Sequence, residues 1–157
     1  MKRELVIALS VSFVFLFACG EKGLPDISGK FTLSQTITSN NCNDNIGTTY
    51  SGIWDLEQNG NQITVVGIES LGTIGDDSCL KLVDGSNYEG VIYDNGDFNL
   101  NRTLQLYDTC EDINYSVLYS MTATFSGDEI EGVMVANFDF SGIGSCSVEY
   151  SVRGERS

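Results

Sequence analysis

The sequence predicts an all-β fold, specifically a single eight-stranded antiparallel up-and-down barrel. The 157-residue chain contains one proline and seventeen glycines, a composition that favours strands joined by glycine turns over helices. From Ile27 onward, apolar and polar residues alternate with a period of two, as they do in strands with one buried face. A meander of eight strands leaves two unpaired edges, and closing it into a barrel removes both.

The alternation defines the individual strands. It is clearest from Ile113 to Phe125, where the odd positions are apolar or aromatic and the even positions are polar except for Leu118. No comparable stretch after the first eighteen residues repeats with a helical period. The predicted strands cover about residues 28–38, 48–58, 62–69, 87–94, 97–107, 113–125, 129–139 and 146–153.

The connections between these strands are of two kinds, which alternate strictly along the chain. The connections at 59–61, 94–97 and 126–128 are tight, and each contains the glycine that a hairpin turn needs for positive φ. Four longer connections, at about 39–47, 70–86, 108–112 and 140–145, each carry one cysteine within them or at their edge. Alternate connections of a meander lie at the same end, so all four cysteines are expected at one rim.

These four cysteines, Cys42, Cys79, Cys110 and Cys146, predict two disulfides, because an even number in an exported chain is typical of a disulfide framework. Bonds from Cys42 to Cys110 and from Cys79 to Cys146 would cross the mouth of the barrel and are disfavoured. The other two arrangements both join neighbouring loops. Nearly equal spacings in the sequence favour Cys42–Cys79 with Cys110–Cys146.

The N-terminus has the organisation of a secretory signal, with Lys2 and Arg3 followed by an apolar run from Leu5 to Ala18. This run is shorter than the roughly 20 residues that cross a bilayer. Leu16-Phe17-Ala18-Cys19 resembles the lipobox of bacterial lipoproteins. The resemblance implies a cleaved signal peptide at 1–18 and acyl chains such as palmitate on Cys19, which would anchor the protein in a membrane. Gly20 in place of aspartate implies the outer membrane.

The mature chain therefore divides into a lipidated N-terminus and tether, 19–26, and a barrel domain, 27–157. The whole chain has a net charge of −14, which disfavours nucleic acid and anionic lipid headgroups as partners. There is no histidine and no CxxC spacing, so neither a zinc site nor a histidine-dependent triad is predicted. The acidic clusters lack calcium-loop spacing and single out no catalytic pair. We expect no metal, no cofactor and no enzymatic activity.

The body of the chain resembles the lipocalin-like small barrels of the calycin group. Ser28-Gly29-Lys30-Phe31 is similar to their Gly-x-Trp start, although Phe31 replaces the tryptophan. Arg153 on the last strand is similar to the arginine that packs across that start. The resemblance implies a lipocalin-like barrel.

Arg102 is the most unusual residue on the predicted inner face, because Leu100 and Leu104 flank it at two-residue spacing. A buried guanidinium must be paired or hydrogen-bonded. A bulge that turns it outward, a neighbouring carboxylate or tyrosine, or an acidic ligand inside the barrel would each meet that need.

Aromatic residues on the same face are candidates to line a ligand cavity together with Arg102. They are Tyr50, Trp54, Tyr115, Tyr119 and Tyr150. An eight-stranded barrel is just wide enough to be filled by side chains or to hold one small molecule, and the many large inner residues favour a mostly filled interior. We expect a lipid-anchored envelope protein that binds a small apolar or amphipathic ligand. The alternative is a filled barrel that acts as a structural or protein-interaction module through its loops.

Overall fold

The computed structural model describes residues 23–42, 45–70 and 79–157. The predicted signal peptide and Cys19 lie outside these described residues. Nine strands are present in the described part: β1 (Gly29–Asn40), β2 (Thr49–Asn59), β3 (Gln62–Ser70), β4 (Leu80–Gly85), β5 (Tyr88–Ile92), β6 (Asp97–Asp108), β7 (Ile113–Ser126), β8 (Glu129–Phe140) and β9 (Gly144–Arg156). Within these ranges there is no helix long and apolar enough to span a membrane.

Eight of the strands form a closed antiparallel ring, which confirms the predicted up-and-down barrel. Neighbours in the ring follow the chain order β1, β2, β3, β5, β6, β7, β8 and β9. β9 closes the ring against β1 along the register from Phe31↔Arg156 to Asn40↔Val148. Because the connections alternate between the two ends, we call the end with the glycine turns the closed end and the opposite, cysteine-bearing end the open end.

β4 lies outside the ring and corrects the sequence prediction, which assigned residues 70–86 to a connection. β4 pairs with β6 alone, from Leu80↔Asp108 to Gly85↔Leu104. β5 then continues along the same edge of β6, from Glu89↔Asn101 to Ile92↔Phe98. Residues 81–85 are exposed on both faces of β4. A strand without a buried face has no period-two pattern, and this one was missed for that reason.

The closed end is filled and tightly turned. Gly60, Gly96 and Gly127 occupy its three turns with φ values of 61°, 88° and 66°, as predicted. At Gly96, a Cβ atom would lie 2.4 Å from the Phe125 carbonyl oxygen, so glycine is required there for space as well as for φ. The apolar side chains that fill the barrel above these turns are buried: Phe31, Leu56, Ile63, Phe98, Met121, Phe125 and Ile130.

The N-terminal segment and Arg156 cover this closed end. Ile27 is fully buried, and its backbone N–H donates to Gln58 Oε1 at 2.9 Å. The Arg156 guanidinium lies over the Phe31 ring, 4.9 Å from its centroid. It also donates to the backbone carbonyl of Ser28 and, at 2.9 Å, to Asp128 Oδ1.

Arg153 does not make the contact that the family resemblance implies. Its side chain is 78% exposed and pairs with Glu131 at 3.2 Å on the outer wall. The side chains of β9 alternate between the two faces, and Arg156, near the end of the strand, is the one that reaches over the closed end. The assignment of this contact to Arg153 was therefore wrong, and Arg156 is the arginine that lies over Phe31.

The open end carries both disulfides, and the prediction that all four cysteines lie at one rim is confirmed. The pairing favoured from the sequence was wrong, because the bonds join Cys42 to Cys146 and Cys79 to Cys110. Barrel closure places the end of β1 beside the start of β9, and β4 brings Cys79 alongside the end of β6. The Thr109 N–H donates to the Cys79 carbonyl at 2.8 Å. Strand pairing, rather than sequence spacing, therefore selects the partners.

Candidate functional site

The open half of the barrel contains a cavity of about 350 Å³. The filled core lies below it, so the predicted mostly filled interior describes the closed half fully and the open half only in part. Tyr50 and Ser51 line the cavity and are themselves exposed, which places its mouth at the open end. The lining residues are Gln35, Tyr50, Ser51, Gly52, Trp54, Ile68, Tyr88, Arg102, Leu104, Tyr119, Met134 and Tyr150.

Aromatic rings make up most of the apolar lining. The Trp54 and Tyr88 rings lie 4.8 Å apart between centroids and are tilted by 33°, and Tyr119 lies 6.0 Å from Tyr88. Tyr50 and Tyr150 meet edge to face at 6.5 Å near the mouth. These separations are typical of interacting aromatic pairs. The rings offer flat apolar surfaces on more than one side of the cavity.

Burial raises the pKa of the Tyr88 hydroxyl, and the nearby Tyr119 adds to this effect. Burial likewise raises the pKa of Tyr119, although the positive charge of Arg102 acts in the opposite direction. The raised pKa values keep both hydroxyls protonated to a higher pH than an exposed tyrosine. The Tyr88 O–H donates to the Met134 sulfur at 3.8 Å, so the polar tip of its ring is turned toward the interior.

Arg102 is half-buried on the inner side of β6, and no bulge turns it outward. Its Nε donates to the Ser86 carbonyl at 2.9 Å, and its guanidinium carbon lies 5.4 Å from the Tyr88 ring centroid. A backbone carbonyl and an aromatic face therefore provide the contacts expected of a buried guanidinium. Among the described residues, Arg102 forms no ion pair, and it is the only charged side chain that lines the cavity.

The barrel wall is interrupted beside Arg102. β3 pairs with β5 only from Gln62↔Val91 to Val65↔Tyr88. Toward the open end from Val65, the described part of β3 pairs with β2 alone, and β4 pairs with β6 alone. No pairing among these described residues joins β3 to β4. We call the resulting gap the side opening. A hollow of about 300 Å³ occupies it, lined by Val65, Val66, Gly67, Ile68, Asn87, Tyr88 and Arg102.

Five of the six side chains predicted to line a cavity do so: Tyr50, Trp54, Arg102, Tyr119 and Tyr150. Tyr115 does not. It packs against Phe140 with a centroid distance of 5.2 Å, in a separate cluster with Val117 and Ala136. Tyr115 and Phe140 are register partners on β7 and β8, and this cluster fills the open half on that side.

Tyr88 is the central residue that the sequence analysis missed. It is 4% exposed and contacts both Trp54 and Arg102. It is the first residue of a five-residue strand that follows the non-alternating β4. The period-two pattern was too short there to assign its face.

Cys79, Asp108 and Cys110 also lie close together at the open end. The two sulfurs are joined in a disulfide, so they offer no thiolate to a metal ion. We therefore interpret this group as a structural clamp.

Comparisons with known proteins do not extend these observations. No family model matches the chain, no curated protein matches it, and no solved structure matches it.

Proposed function

We propose that this chain is a lipid-anchored protein of the bacterial cell envelope, most simply of the outer membrane, whose barrel binds a small apolar or amphipathic molecule. The observation that carries the proposal is the aromatic cavity of about 350 Å³. Ligand pockets are typically about 300–1,000 Å³ and mostly apolar, with few polar groups.

The chemistry of the lining supports binding over catalysis. In the described structure, the lining offers tyrosine hydroxyls, the Ser51 hydroxyl, one amide and one guanidinium, but no carboxylate and no thiol. Such groups orient a ligand without supplying a general base near neutral pH. The protein is thus proposed to act as a carrier or sensor and not as an enzyme.

The arrangement of the two ends is compatible with an anchor on Cys19. Residues 23–28 lead into the closed end, where Leu24 packs against the core and Ile27 is buried. A lipid on Cys19 would therefore be connected to the barrel at the end opposite the mouth. Membrane attachment through this residue leaves the cavity accessible.

Trp54 provides the test of binding, because it is the only tryptophan in the chain and it lines the cavity. N-phenyl-1-naphthylamine, an uncharged aromatic probe, is expected to quench its emission saturably with one site per barrel. Gln35→Phe, which enlarges a side chain in the lining, should weaken this binding. Gln105→Phe, on the exposed outer side of β6, is the matched control. Absence of saturable quenching in the wild type would exclude the proposed site.

The anchor is tested separately by metabolic labelling with a fatty acid. Cys19→Ala removes the proposed attachment atom, and we expect it to abolish labelling and to leave the signal peptide uncleaved. Membrane fractionation of the same cells reports sorting. Undiminished label in the variant would exclude lipidation at Cys19.

One observation favours the alternative of an interaction module. Ile46 and Ile143 lie on loops at the open end and are 68% and 69% exposed, and exposed apolar groups there are available to a protein partner. The probe titration separates the two functions, since an interaction module does not require the cavity to bind anything.

A further inference from the structure

Arg102 belongs to both hollows of the open half. It lines the cavity together with Trp54 and lines the side opening together with Gly67. Ile68 and Tyr88 are also shared by the two hollows. Arg102 therefore borders both hollows, and a ligand that reached from one to the other would pass beside its side chain.

The guanidinium retains hydrogen-bonding capacity at this junction. Its Nε donates to the Ser86 carbonyl, and a side-chain hydrogen bond from the guanidinium acts to lower the pKa of the Tyr88 hydroxyl. Among the described residues no carboxylate pairs with the guanidinium, and these two contacts use only part of its five N–H donors. Two parallel N–H donors match the oxygens of a carboxylate, sulfonate or phosphate. The contact with Tyr88 and the bond to Ser86 hold the group in place, so little additional ordering is needed when an anion binds.

The surrounding charge makes this position distinctive. The chain as a whole has a net charge of −14, which repels anions from most of its surface. Among the described residues that line the two hollows, none is acidic, and Arg102 is the only cation. A cation between low-dielectric walls interacts with an anion more strongly than it would in bulk water.

We infer that the ligand is an anionic amphiphile that lies across the junction, with its apolar part among the cavity aromatics and its acidic group in the side opening, bound by Arg102. This inference rests on the proposed binding function and specifies its ligand class. The anionic group stays near solvent and keeps part of its hydration. The apolar part replaces water against Trp54 and Tyr88.

A matched pair of probes tests the inference. 8-Anilinonaphthalene-1-sulfonate carries a sulfonate that the uncharged N-phenyl-1-naphthylamine lacks, and the two share one ring system. Arg102→Met keeps most of the side-chain volume and removes the charge. We expect this variant to bind the sulfonate probe at least about tenfold more weakly, as the loss of a charge-assisted hydrogen bond implies. Its affinity for the uncharged probe should change by less than about twofold.

Arg153→Met is the control, because it removes a cation from the outer wall, where Arg153 is 78% exposed. It should leave both affinities unchanged. Rising salt concentration should weaken binding of the sulfonate probe more in the wild type than in Arg102→Met.

A second pair of variants locates the anionic group. Asn87→Glu places a carboxylate at the side opening, which the exposed Asn87 lines. Ser51→Glu places one at the mouth. Asn87→Glu is expected to weaken binding of the sulfonate probe selectively and by more than Ser51→Glu does.

Each outcome decides a separate point. If neither probe binds the wild type, the proposed function itself fails. If both bind and Arg102→Met weakens them equally or not at all, the anionic ligand class is wrong. If Ser51→Glu has the larger effect, the acidic group lies at the mouth and not in the side opening.

Discussion

The two ends of this barrel are built on different principles. At the closed end, three glycine turns join the strands. Buried apolar side chains, among them Ile27 and Phe125, fill the interior there. At the open end, longer loops are tied by two disulfides around a cavity. Packing holds the first end, whereas covalent bonds hold the second. An end that is held by cross-links does not need to be filled, and the space that remains is available for a ligand.

The resulting division is the usual one between a rigid scaffold and a functional site. Close packing at the closed end gives stability, because each buried side chain is matched to its neighbours. Loops that carry function are commonly positioned by such a scaffold.

The largest effects are expected at the disulfides of the open end. Cys42 and Cys146 are 104 residues apart, and Cys79 and Cys110 are 31 apart. Loop-closure entropy then predicts losses of about 4.7 and about 3.7 kcal/mol, respectively, when each pair is replaced by alanine. Urea unfolding followed by circular dichroism measures both. A larger loss for the shorter loop would show that closure entropy does not govern this end.

The next largest difference between the two ends is expected in the free energy of unfolding when single side chains are truncated. Phe31 is fully buried, and Phe31→Ala should cost about 3–5 kcal/mol through lost burial and the cavity that remains. Tyr50 borders the open cavity and is 48% exposed, so Tyr50→Ala should cost less than about 1 kcal/mol. Urea midpoints provide the comparison. Similar costs for both substitutions would contradict the division.

The smallest effect is a loss of stability in alkali that originates at the cavity wall. Burial raises the pKa of Tyr88 and Tyr119 in the folded state above the value near 10 of an unfolded chain. The folded protein therefore binds more protons than the unfolded chain above about pH 10, and the free energy of unfolding decreases as pH rises further. Tyr88→Phe with Tyr119→Phe should flatten this decrease between pH 9 and 11.

Tyr93→Phe is the control for this series, because its ring is 52% exposed at the closed end. Unfolding midpoints in urea at each pH provide the measurement. An equal flattening by Tyr93→Phe would assign the alkaline loss to a site other than the cavity wall.

The ring of eight strands was predictable from the sequence because each strand has one buried and one exposed face. The same period-two pattern placed Trp54 and Arg102 on the inner side correctly. It failed where a strand lacks that asymmetry, as β4 does with both faces exposed. Missing β4 removed the pairing that brings Cys79 to Cys110 and also concealed the side opening.

For a related reason, the period-two pattern could not predict which of the inner residues line the cavity. Alternation reports which face a residue occupies but not how much space remains after packing. Tyr115 and Tyr119 are both on the inner face of β7, yet only Tyr119 lines the cavity. That difference depends on Phe140, which is brought opposite Tyr115 by the β7–β8 register.

Hydrogen exchange with saturating N-phenyl-1-naphthylamine tests the division between the two ends most directly. We expect slowed exchange in segments that line the cavity, such as residues 50–54 and 100–104. We expect no change at the closed-end turns around Gly60, Gly96 and Gly127, whose neighbouring core is already packed. Protection concentrated at those turns, or spread evenly over the barrel, would contradict a binding site confined to the open end.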